Sequence, residues 1–284
     1  MKIGIVADTS SNFTPSMAEE LGIHIVPMHI MIDQKNYKDG FDLSLEEFYK
    51  KMATSKESPT TSQPAIGEFI QLYKRIEEDY DKILSIHPAG FLSGTVETAK
   101  MAAQQVNPEK ITVFDSELVS ILTGYLVHEA KRLVDSGKSF SNILERLTEM
   151  KSQTIAYVVL ENFDQLVRSG RLPRLAGQFT KLTKIKPILK ISSNGIELKR
   201  LVRTSKRAVR KVKKITYDCF DALDYSAKID VAHGDIPVEA EETLSELLNR
   251  YPDQKSKIHR LASVIGVHTG AKILGYTIAP EYSD

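Results

Sequence analysis

The sequence predicts an α/β protein with two lobes, and the prediction depends on two observations. Through the first half of the chain, short apolar runs typical of buried strands alternate with segments whose apolar residues recur at helical spacing. This alternation is typical of a mostly parallel sheet with helices on both faces. In the second half, the β-rich runs 185–191 and 196–202 flank an Asn194-Gly195 pair, a strong β-hairpin signal. A hairpin pairs its strands antiparallel, so the second lobe is expected to hold a mixed sheet with helices.

We place the border between the lobes near residue 150, where the alternation of strands and helices ends. This gives an N-terminal lobe over residues 1–150 and a C-terminal lobe over residues 151–284. A chain of 284 residues is long enough to bury a large core and to divide in this way. The sequence shows no obvious flexible linker at the border, no internal repeat and no low-complexity segment.

The first lobe opens with the apolar run 3–7, which ends at Asp8 and predicts a strand followed by a loop. The Ile- and Met-rich run 23–32 predicts one or two strands, and runs 83–87 and 111–115 predict two more. Apolar residues at helical spacing predict the helices of this lobe. These helices are expected over residues 15–21, 43–52, 65–78, 96–105, 118–134 and 140–150.

The second lobe begins with a predicted strand over residues 155–160 and continues into the hairpin. Helices are predicted over residues 205–220 and 238–249, and short strands over residues 229–232 and 276–279. In open parallel sheets, ligands bind beyond the carboxyl ends of the strands. Four polar residues of the first lobe are expected at such ends: Asp8, Thr9, Ser93 and Ser116.

The composition is that of a soluble globular protein and limits the classes of function. Apolar residues make up 42% of the chain and charged residues 26%, while the formal net charge is +1. Such a balance gives no strong field to attract nucleic acid. One cysteine cannot form an internal disulfide, which favours a reducing, cytoplasmic setting. The apolar run after Met1 is too brief for a signal peptide, and no stretch approaches the roughly 20 residues that span a bilayer.

Two hydroxyl-rich segments stand out because each precedes a predicted helix. The first is Thr60-Thr61-Ser62-Gln63-Pro64, and the second is Leu92-Ser93-Gly94-Thr95. Hydroxyls at a helix start cap free backbone N–H groups, which is the ordinary use of such residues. The same N–H groups also bind anions. Two such junctions without an adjacent catalytic base suggest a site for a small negatively charged group.

His268 is a candidate ligand for the same anion. It lies in the segment Gly266-Val267-His268-Thr269-Gly270, which we interpret as a glycine-flanked turn after an apolar run. Flanking glycines allow the backbone to approach a ligand closely. A histidine can donate a hydrogen bond to an anion from either ring nitrogen, although a lone histidine is more often structural.

The alternative hypothesis is a stand-alone acyl hydrolase with Ser93 as nucleophile and His268 as base. The Gly-x-Ser-x-Gly elbow that such enzymes use is absent, because Phe91 and Thr95 occupy the glycine positions. A dinucleotide fingerprint and a phosphate-binding Walker loop are absent as well. Cys219 and the scattered histidines show no metal-ligand spacing, so we expect no metal or cofactor.

The segment from Lys199 to Lys214 contains nine Lys or Arg residues and no acid. Its plainest interpretation is a solvated helix face. Arg203, Arg207 and Arg210 share one side, and a basic face on a near-neutral protein can instead orient an acidic partner. Nucleic acid is disfavoured because aromatic stacking residues are not interleaved with these charges. A separate interaction protein that works through this face is therefore a third hypothesis.

The motifs, taken in order, resemble those of the DegV family, bacterial fatty-acid-binding proteins that include the FakB subunits of fatty acid kinase. The likeness runs from end to end of the chain. Its strongest parts are Thr61-Ser62-Gln63-Pro64 and Leu92-Ser93-Gly94-Thr95. Weaker matches complete the series: Asp8-Thr9-Ser10-Ser11, Asp115-Ser116 with Ser120 and Gly124, Ser169-Gly170-Arg171, residues 185–189, Val202-Arg203-Thr204 and His268-Thr269-Gly270.

The resemblance implies a DegV-like fold in which a long-chain fatty acid lies between the two lobes. It implies that Thr61, Ser93 and His268 hold the carboxylate, with Ser62 close by. It also implies that Arg203 lies near the pocket mouth or partner surface, and we extend this role to three further arginines: Arg171, Arg207 and Arg210. The family carries fatty acid to a separate, DAK2-like and ATP-dependent kinase subunit, and the acyl phosphate feeds phospholipid synthesis. Such a carrier is not itself an enzyme, and it needs no stable membrane insertion, although transient membrane contact is compatible with its role.

The chain departs from the family pattern in three segments close to the expected ligand. Ala89 and Gly90 replace two serines that often precede the Leu-Ser-Gly-Thr motif, and Val96 stands where Tyr is common. Gly270-Ala271-Lys272 replaces a usual Gly-Pro-Gly. These departures bear on chain preference and head-group geometry more than on the class of ligand.

Overall fold

The structure is a computed structural model that describes residues 1–171 and 185–281. The chain divides into two compact units. The first unit contains Met1–Ser152 together with Ala262–Val264, and the second contains Gln153–Leu261 and Ile265–Asp284. The short segment Ala262–Val264 thus belongs to the first unit although its neighbours on both sides in the chain belong to the second.

The first unit is built on a four-stranded sheet in which all pairs of neighbours are parallel. The strand order is β2-β1-β6-β7, with β1 at Ile3–Asp8, β2 at His24–Val26, β6 at Lys82–His87 and β7 at Ile111–Asp115. Each strand coincides with a predicted apolar run. The α/β architecture predicted for this half of the chain is therefore confirmed.

The helices of the first unit begin and end near the predicted positions. They are α1 (Pro15–Leu21), α2 (Leu45–Thr54), α3 (Ile66–Ile76), α4 (Thr95–Val106), α5 (Ile121–Asp135) and α6 (Phe140–Gln153). Side-chain caps explain two of the starts. The hydroxyl of Thr14 accepts from the N–H of Met17 at 3.2 Å, and Ser44 forms a reciprocal capping box with Glu47. Apolar side chains of α3 and α4, such as Phe69 and Ala99, pack with Val6 of β1 in one buried cluster.

A second, three-stranded antiparallel sheet in this unit was not predicted. It has the order β4-β3-β5, with β3 at His29–Ile32, β4 at Lys35–Lys38 and β5 at Thr60–Ser62. The segment that we interpreted as a helix start is therefore a strand, and the N-cap of α3 is Ala65. A three-residue strand is too short to show the alternation by which strands are recognised, so only its pairing with β3 reveals it.

The second unit contains a six-stranded mixed sheet, as the hairpin predicted. Its order is β10-β9-β8-β13-β11-β12, and the β11–β12 pair is parallel while the other pairs are antiparallel. The strands are β8 (Ile155–Val159), β9 (Lys186–Ser192), β10 (Gly195–Val202), β11 (Ala227–His233), β12 (Ile258–Arg260) and β13 (Leu274–Pro280). Ser192 pairs with Gly195 at the tip of the predicted hairpin, where Gly195 has a φ of +110° that favours glycine.

The helices of the second unit are α7 (Asp164–Arg168), α8 (Ser205–Phe220) and α9 (Pro237–Arg250); α10 (Ser263–Thr269) spans both units. Val212 of α8 and Leu247 of α9 pack with Ile229 and Tyr276 of the sheet in a buried core. The turn predicted around His268 is wrong, because this residue lies in helix α10. The glycine signal misled since Gly266 is tolerated inside the helix, while Gly270, at a φ of +77°, follows its end.

Among the described residues, no helix is both long enough and apolar enough to span a bilayer.

Candidate functional site

Three of the four polar residues expected at the strand ends, Asp8, Thr9 and Ser116, are buried inside the first unit. Asp8, at the end of β1, is fully buried, and its Oδ2 lies 2.7 Å from Nδ1 of His87 on β6. Nε2 of His87 lies 2.7 Å from the hydroxyl of Ser85, which accepts a hydrogen bond from Tyr73 at 2.8 Å. Ser116 is buried as well and lies 3.1 Å from the hydroxyl of Thr123. These side chains are internal supports, so they do not face a ligand directly.

The Asp8–His87–Ser85 arrangement has the order of contacts found in a serine hydrolase triad, and our sequence analysis missed it. None of the three residues has exposed surface. A nucleophile without exposed surface has no access to substrate, so the arrangement is structural. The spacing of Ser85 and His87 offers the one available signal, because residues two apart on a strand point to the same side.

Ser93 lies in a tight turn between β6 and α4. The carbonyl of Ala89 accepts from the N–H groups of Leu92 and Ser93, at 2.9 and 3.1 Å. The hydroxyl of Ser93, which is partly buried, lies 2.8 Å from that of Thr95. It also accepts from the N–H of Thr95, the first residue of α4, at 3.4 Å, although the N-cap position itself is occupied by Gly94. The turn therefore fixes the Ser93 backbone and leaves its hydroxyl partly buried beside the start of α4.

The structure brings the Thr61 strand close to this turn. Thr61 pairs with Ile30, and Ser62 pairs with His29, across β3 and β5. Just beyond β5, the side-chain amide of Gln63 donates to the hydroxyl of Thr98 on α4. Oε1 of Gln63 also lies where a Cβ atom on Gly94 would be placed, only 2.2 Å from that ideal position. The two motifs therefore meet within one unit, with Thr61 partly buried and Ser62 exposed.

Met28, which precedes β3, links this region to the end of β1. Its sulfur lies 3.7 Å from the Thr95 hydroxyl, and its N–H donates to the hydroxyl of Thr9 at 3.1 Å. The Ser93 turn is thereby connected to the first turn after β1 through buried atoms.

Ala89, Gly90 and Val96, which depart from the family pattern, lie in the turn before α4 and in its first turn. Ala89 is fully buried, and its N–H donates to the carbonyl of Leu118 at 2.8 Å. The N–H of Gly90 donates to the carboxylate of Asp115, and a Cβ atom here would lie 3.0 Å from Oδ2 of Asp115. Val96 is buried in the first turn of α4. Hydrogen bonds to the loop after β7 thus hold the start of this turn in place.

His268 belongs to the second unit, so its surroundings are described within that unit. Burial, together with the charge of Arg171, lowers its pKa to about 4. The imidazole is therefore neutral at physiological pH, and it has one N–H to donate. Gly270 follows the helix and lies against Gln165, whose Oε1 would be 2.4 Å from an added Cβ atom. The second unit thus offers a neutral donor beside a cation.

Arg203, Arg207 and Arg210 are all exposed. The hydroxyl of Thr204 caps α8 by accepting from the N–H of Arg207 at 3.4 Å. A groove of about 410 Å³ runs along α8 and β10. It is lined by Arg200, Leu201, Val202, Arg207, Arg210, Lys211 and Lys214. Among the described residues, Lys214 is the cation of this groove that has a carboxylate within salt-bridge distance. Its Nζ lies 3.0 Å from Oδ1 of Asp218.

The chain is similar in sequence to known proteins. The family model described as "Uncharacterised protein, DegV family" matches residues 2–281. A DegV domain-containing protein of Listeria innocua is 32% identical over 277 residues, which cover 97% of this chain and 98% of that protein.

Solved structures resemble the chain along its whole length. The crystal structure of DegV, a fatty acid binding protein from Bacillus subtilis, matches with a TM-score of 0.89 and 30% identity, covering 99% of this chain and 100% of that one. A fatty acid binding DegV family protein from Streptococcus agalactiae matches with a TM-score of 0.89, 26% identity and the same coverage. The chain therefore belongs to the DegV family.

Proposed function

We propose that the protein binds one long-chain fatty acid and carries it to a separate kinase. The observation that carries this proposal is the full-length similarity to DegV of Bacillus subtilis, a fatty acid binding protein, at a TM-score of 0.89. The similarity covers 99% of the chain, so it extends over both units.

In this proposal, neutral hydrogen-bond donors bind the fatty-acid carboxylate: the hydroxyls of Thr61, Ser62 and Ser93, and the imidazole of His268. Hydrogen bonds to a charged acceptor are stronger than those between neutral groups. The low pKa of His268, about 4, supports a role as a neutral N–H donor, since no proton needs to be taken up. Arg171 adds positive charge near His268.

The acyl chain supplies most of the proposed affinity. Each buried CH₂ group contributes about 0.8 kcal/mol, so a chain of about fifteen gains roughly 12 kcal/mol before ordering costs. The head-group contacts then set direction and register, and they keep the carboxylate where a kinase reaches it. Phosphorylation itself belongs to the ATP-dependent kinase subunit, and this chain supplies binding and orientation.

The basic surface around Arg203, Arg207 and Arg210 is the proposed docking surface for that kinase subunit. Its exposed guanidinium groups suit an acidic partner surface, because complementary charge steers encounter and fixes orientation. The formal net charge of the whole chain is only +1, so these cations are concentrated on one surface of a nearly neutral protein. This concentration supports the docking role.

The proposal is tested with Ser93→Ala, which removes one hydroxyl from the head-group site. We expect the Kd for a fluorescent fatty-acid analogue to rise at least tenfold, because a hydrogen bond to a charged group contributes about 1.5–3 kcal/mol. Ser152→Ala, at an exposed serine in the last turn of α6 in the same unit, is the matched control and should leave Kd unchanged. Ester turnover by the wild type that disappears in Ser93→Ala would instead support the acyl hydrolase, and equal Kd values in all three proteins would remove Ser93 from the site.

A further inference from the structure

The helix that carries His268 begins at residues held within the first unit. Ala262, Ser263 and Val264 belong to that unit, and α10 starts at Ser263. The N–H of Ala262 donates to Oδ1 of Asn12 at 2.8 Å, across 250 residues of sequence. His268 follows Ser263 by five residues, which is about 7.5 Å along a helix axis. The anchor of the helix is therefore close to His268 in the chain.

Asp39 is the main acceptor at this anchor. Its carboxylate accepts hydrogen bonds from the hydroxyl of Ser263 and the backbone N–H of Val264, and a third from the hydroxyl of Thr9. Asp39 and Ser263 are 3% and 2% exposed, so water does not replace these bonds readily. The carboxylate thus satisfies donors at the start of α10, and a negative charge there also interacts favourably with the helix dipole.

The main chain around Asp39 holds its carboxylate in place. The N–H of Asp39 donates to the carbonyl of Met28 at 2.8 Å, and Asp39 forms an isolated β-bridge with Leu43. Thr9, which donates to Asp39, accepts in turn from the N–H of Met28 at 3.1 Å. A seven-residue helix is marginal in isolation, so its geometry depends on anchors of this kind.

We propose that Asp39 is a positioning residue, a buried clamp that holds the first turn of α10 and thereby places His268 for ligand binding. The effect on ligand binding rests on the proposed fatty-acid site, whereas the clamp on α10 does not depend on it.

The clamp has a defined pH dependence. Burial, and then the nearby charge of Asp8, raise the pKa of Asp39 to about 6, although its hydrogen bonds act in the opposite direction. Asp8 itself is bound to Nδ1 of His87 at 2.7 Å. When the clamp opens, Asp39 meets water and its pKa returns towards about 3.9. The closed clamp therefore binds a proton more tightly than the open one, and opening becomes easier as pH rises from about 4 to 6.

Hydrogen exchange of α10 amides in the full-length, ligand-free protein tests the clamp directly. Asp39→Ala removes the acceptor, and we expect the opening constant of α10 to increase at least tenfold while β6 keeps its protection. Asp39→Asn keeps an acceptor oxygen without the charge. At pH 7.5 the opening constant of α10 in this variant should be lower than in the wild type, by up to roughly a hundredfold. It should also lose the pH dependence of the wild type. Glu20→Ala, at an exposed acid of α1 in the same unit, is the matched control.

Binding of a fluorescent fatty-acid analogue then tests the consequence for the site. We expect Asp39→Ala to raise Kd several-fold and Asp39→Asn to restore it. Unchanged α10 exchange in Asp39→Ala would overturn the clamp. If that variant does not fold, the same wild-type pH dependence in Asp39→Asn would overturn it. A wild type without affinity for the analogue would count against the fatty-acid site and leave the exchange result to decide the clamp.

Discussion

Nδ1 of His87 lies 2.7 Å from Oδ2 of Asp8, and neither side chain has any surface exposed to solvent. Both oxygens of Asp8 are used, because Oδ1 accepts from the N–H of Ser10 at 3.0 Å. The pair therefore joins β6 to the turn that follows β1, and this turn contains Thr9, a partner of both Met28 and Asp39. Buried polar networks of this kind stabilise a fold only while every member has its partner.

The first prediction concerns this network. His87→Ala leaves Asp8 and Ser85 buried with one partner fewer and creates a cavity, so we expect a loss of about 3–5 kcal/mol in the free energy of unfolding. Tyr73→Phe removes only the terminal donor to Ser85 and should cost about 1 kcal/mol. Urea unfolding followed by circular dichroism measures both. A His87→Ala loss no larger than that of Tyr73→Phe would show that the network does not stabilise the unit.

The second prediction concerns acid stability. The pKa of His268 is about 4 in the folded protein, below its ordinary value of about 6.5, so its contribution to stability is present above pH 6.5 and is lost as pH falls towards 4. At pH 5 this loss is about 2 kcal/mol. We expect His268→Gln, which does not titrate, to lose less stability than the wild type between pH 7.5 and pH 5.0. Equal losses in the two proteins, measured by urea unfolding, would contradict this assignment.

Much of this architecture could be predicted, because amphipathic helices and buried strands leave recognisable apolar patterns in the sequence. Helices α1 and α8 match their predicted bounds of 15–21 and 205–220, since Pro15 and Thr204 mark their starts. By contrast, β5 has three residues, and its identity depends on pairing with β3. Helix α10 was not predicted, because Gly266 and Gly270 indicated a turn. Such elements are fixed by tertiary contacts, which a local pattern does not contain.

The candidate site could be predicted only in part from the sequence. Hydroxyl clusters drew attention to Thr61 and Ser93, but the sequence alone did not reveal that Gln63 joins their two segments. Asp39 gave no signal either, because an acid followed by Gly40 is typical of an exposed turn. Its importance comes from Ser263 and Val264, more than 220 residues later in the chain.

The third prediction concerns the junction of the two hydroxyl motifs. Gly94→Ala would place a Cβ atom 2.2 Å from Oε1 of Gln63, so Gln63 must move and its hydrogen bond to Thr98 is lost. We expect the Kd for the fatty-acid analogue to rise about tenfold with a stability loss of about 1 kcal/mol. Gly67→Ala is the matched control, because nothing lies within 4 Å of its added Cβ atom. Gly67→Ala should bind the analogue with the wild-type Kd. Equal Kd values for Gly94→Ala and Gly67→Ala would show that Gln63 does not contribute to the binding site.

The fourth prediction concerns the basic surface. The double substitution Arg207→Glu/Arg210→Glu should weaken capture of the purified kinase subunit at least tenfold at low salt, through slower association. Fatty-acid loading should be unchanged, because both side chains are exposed on α8. Lys50→Glu/Lys56→Glu, with two exposed lysines of the first unit, controls for the change in net charge. Surface plasmon resonance compares the three proteins, and indistinguishable kinase affinities would exclude this surface as the docking site.

Mass spectrometry of the organic extract from the denatured, purified protein tests the central claim most directly. The account predicts close to one long-chain fatty acid per chain, either as purified or after incubation with a mixture of saturated and unsaturated fatty acids. The mass of the bound species would also report its chain length and unsaturation. An extract without stoichiometric fatty acid, even after loading, would contradict the proposal that this DegV family protein is a fatty-acid carrier.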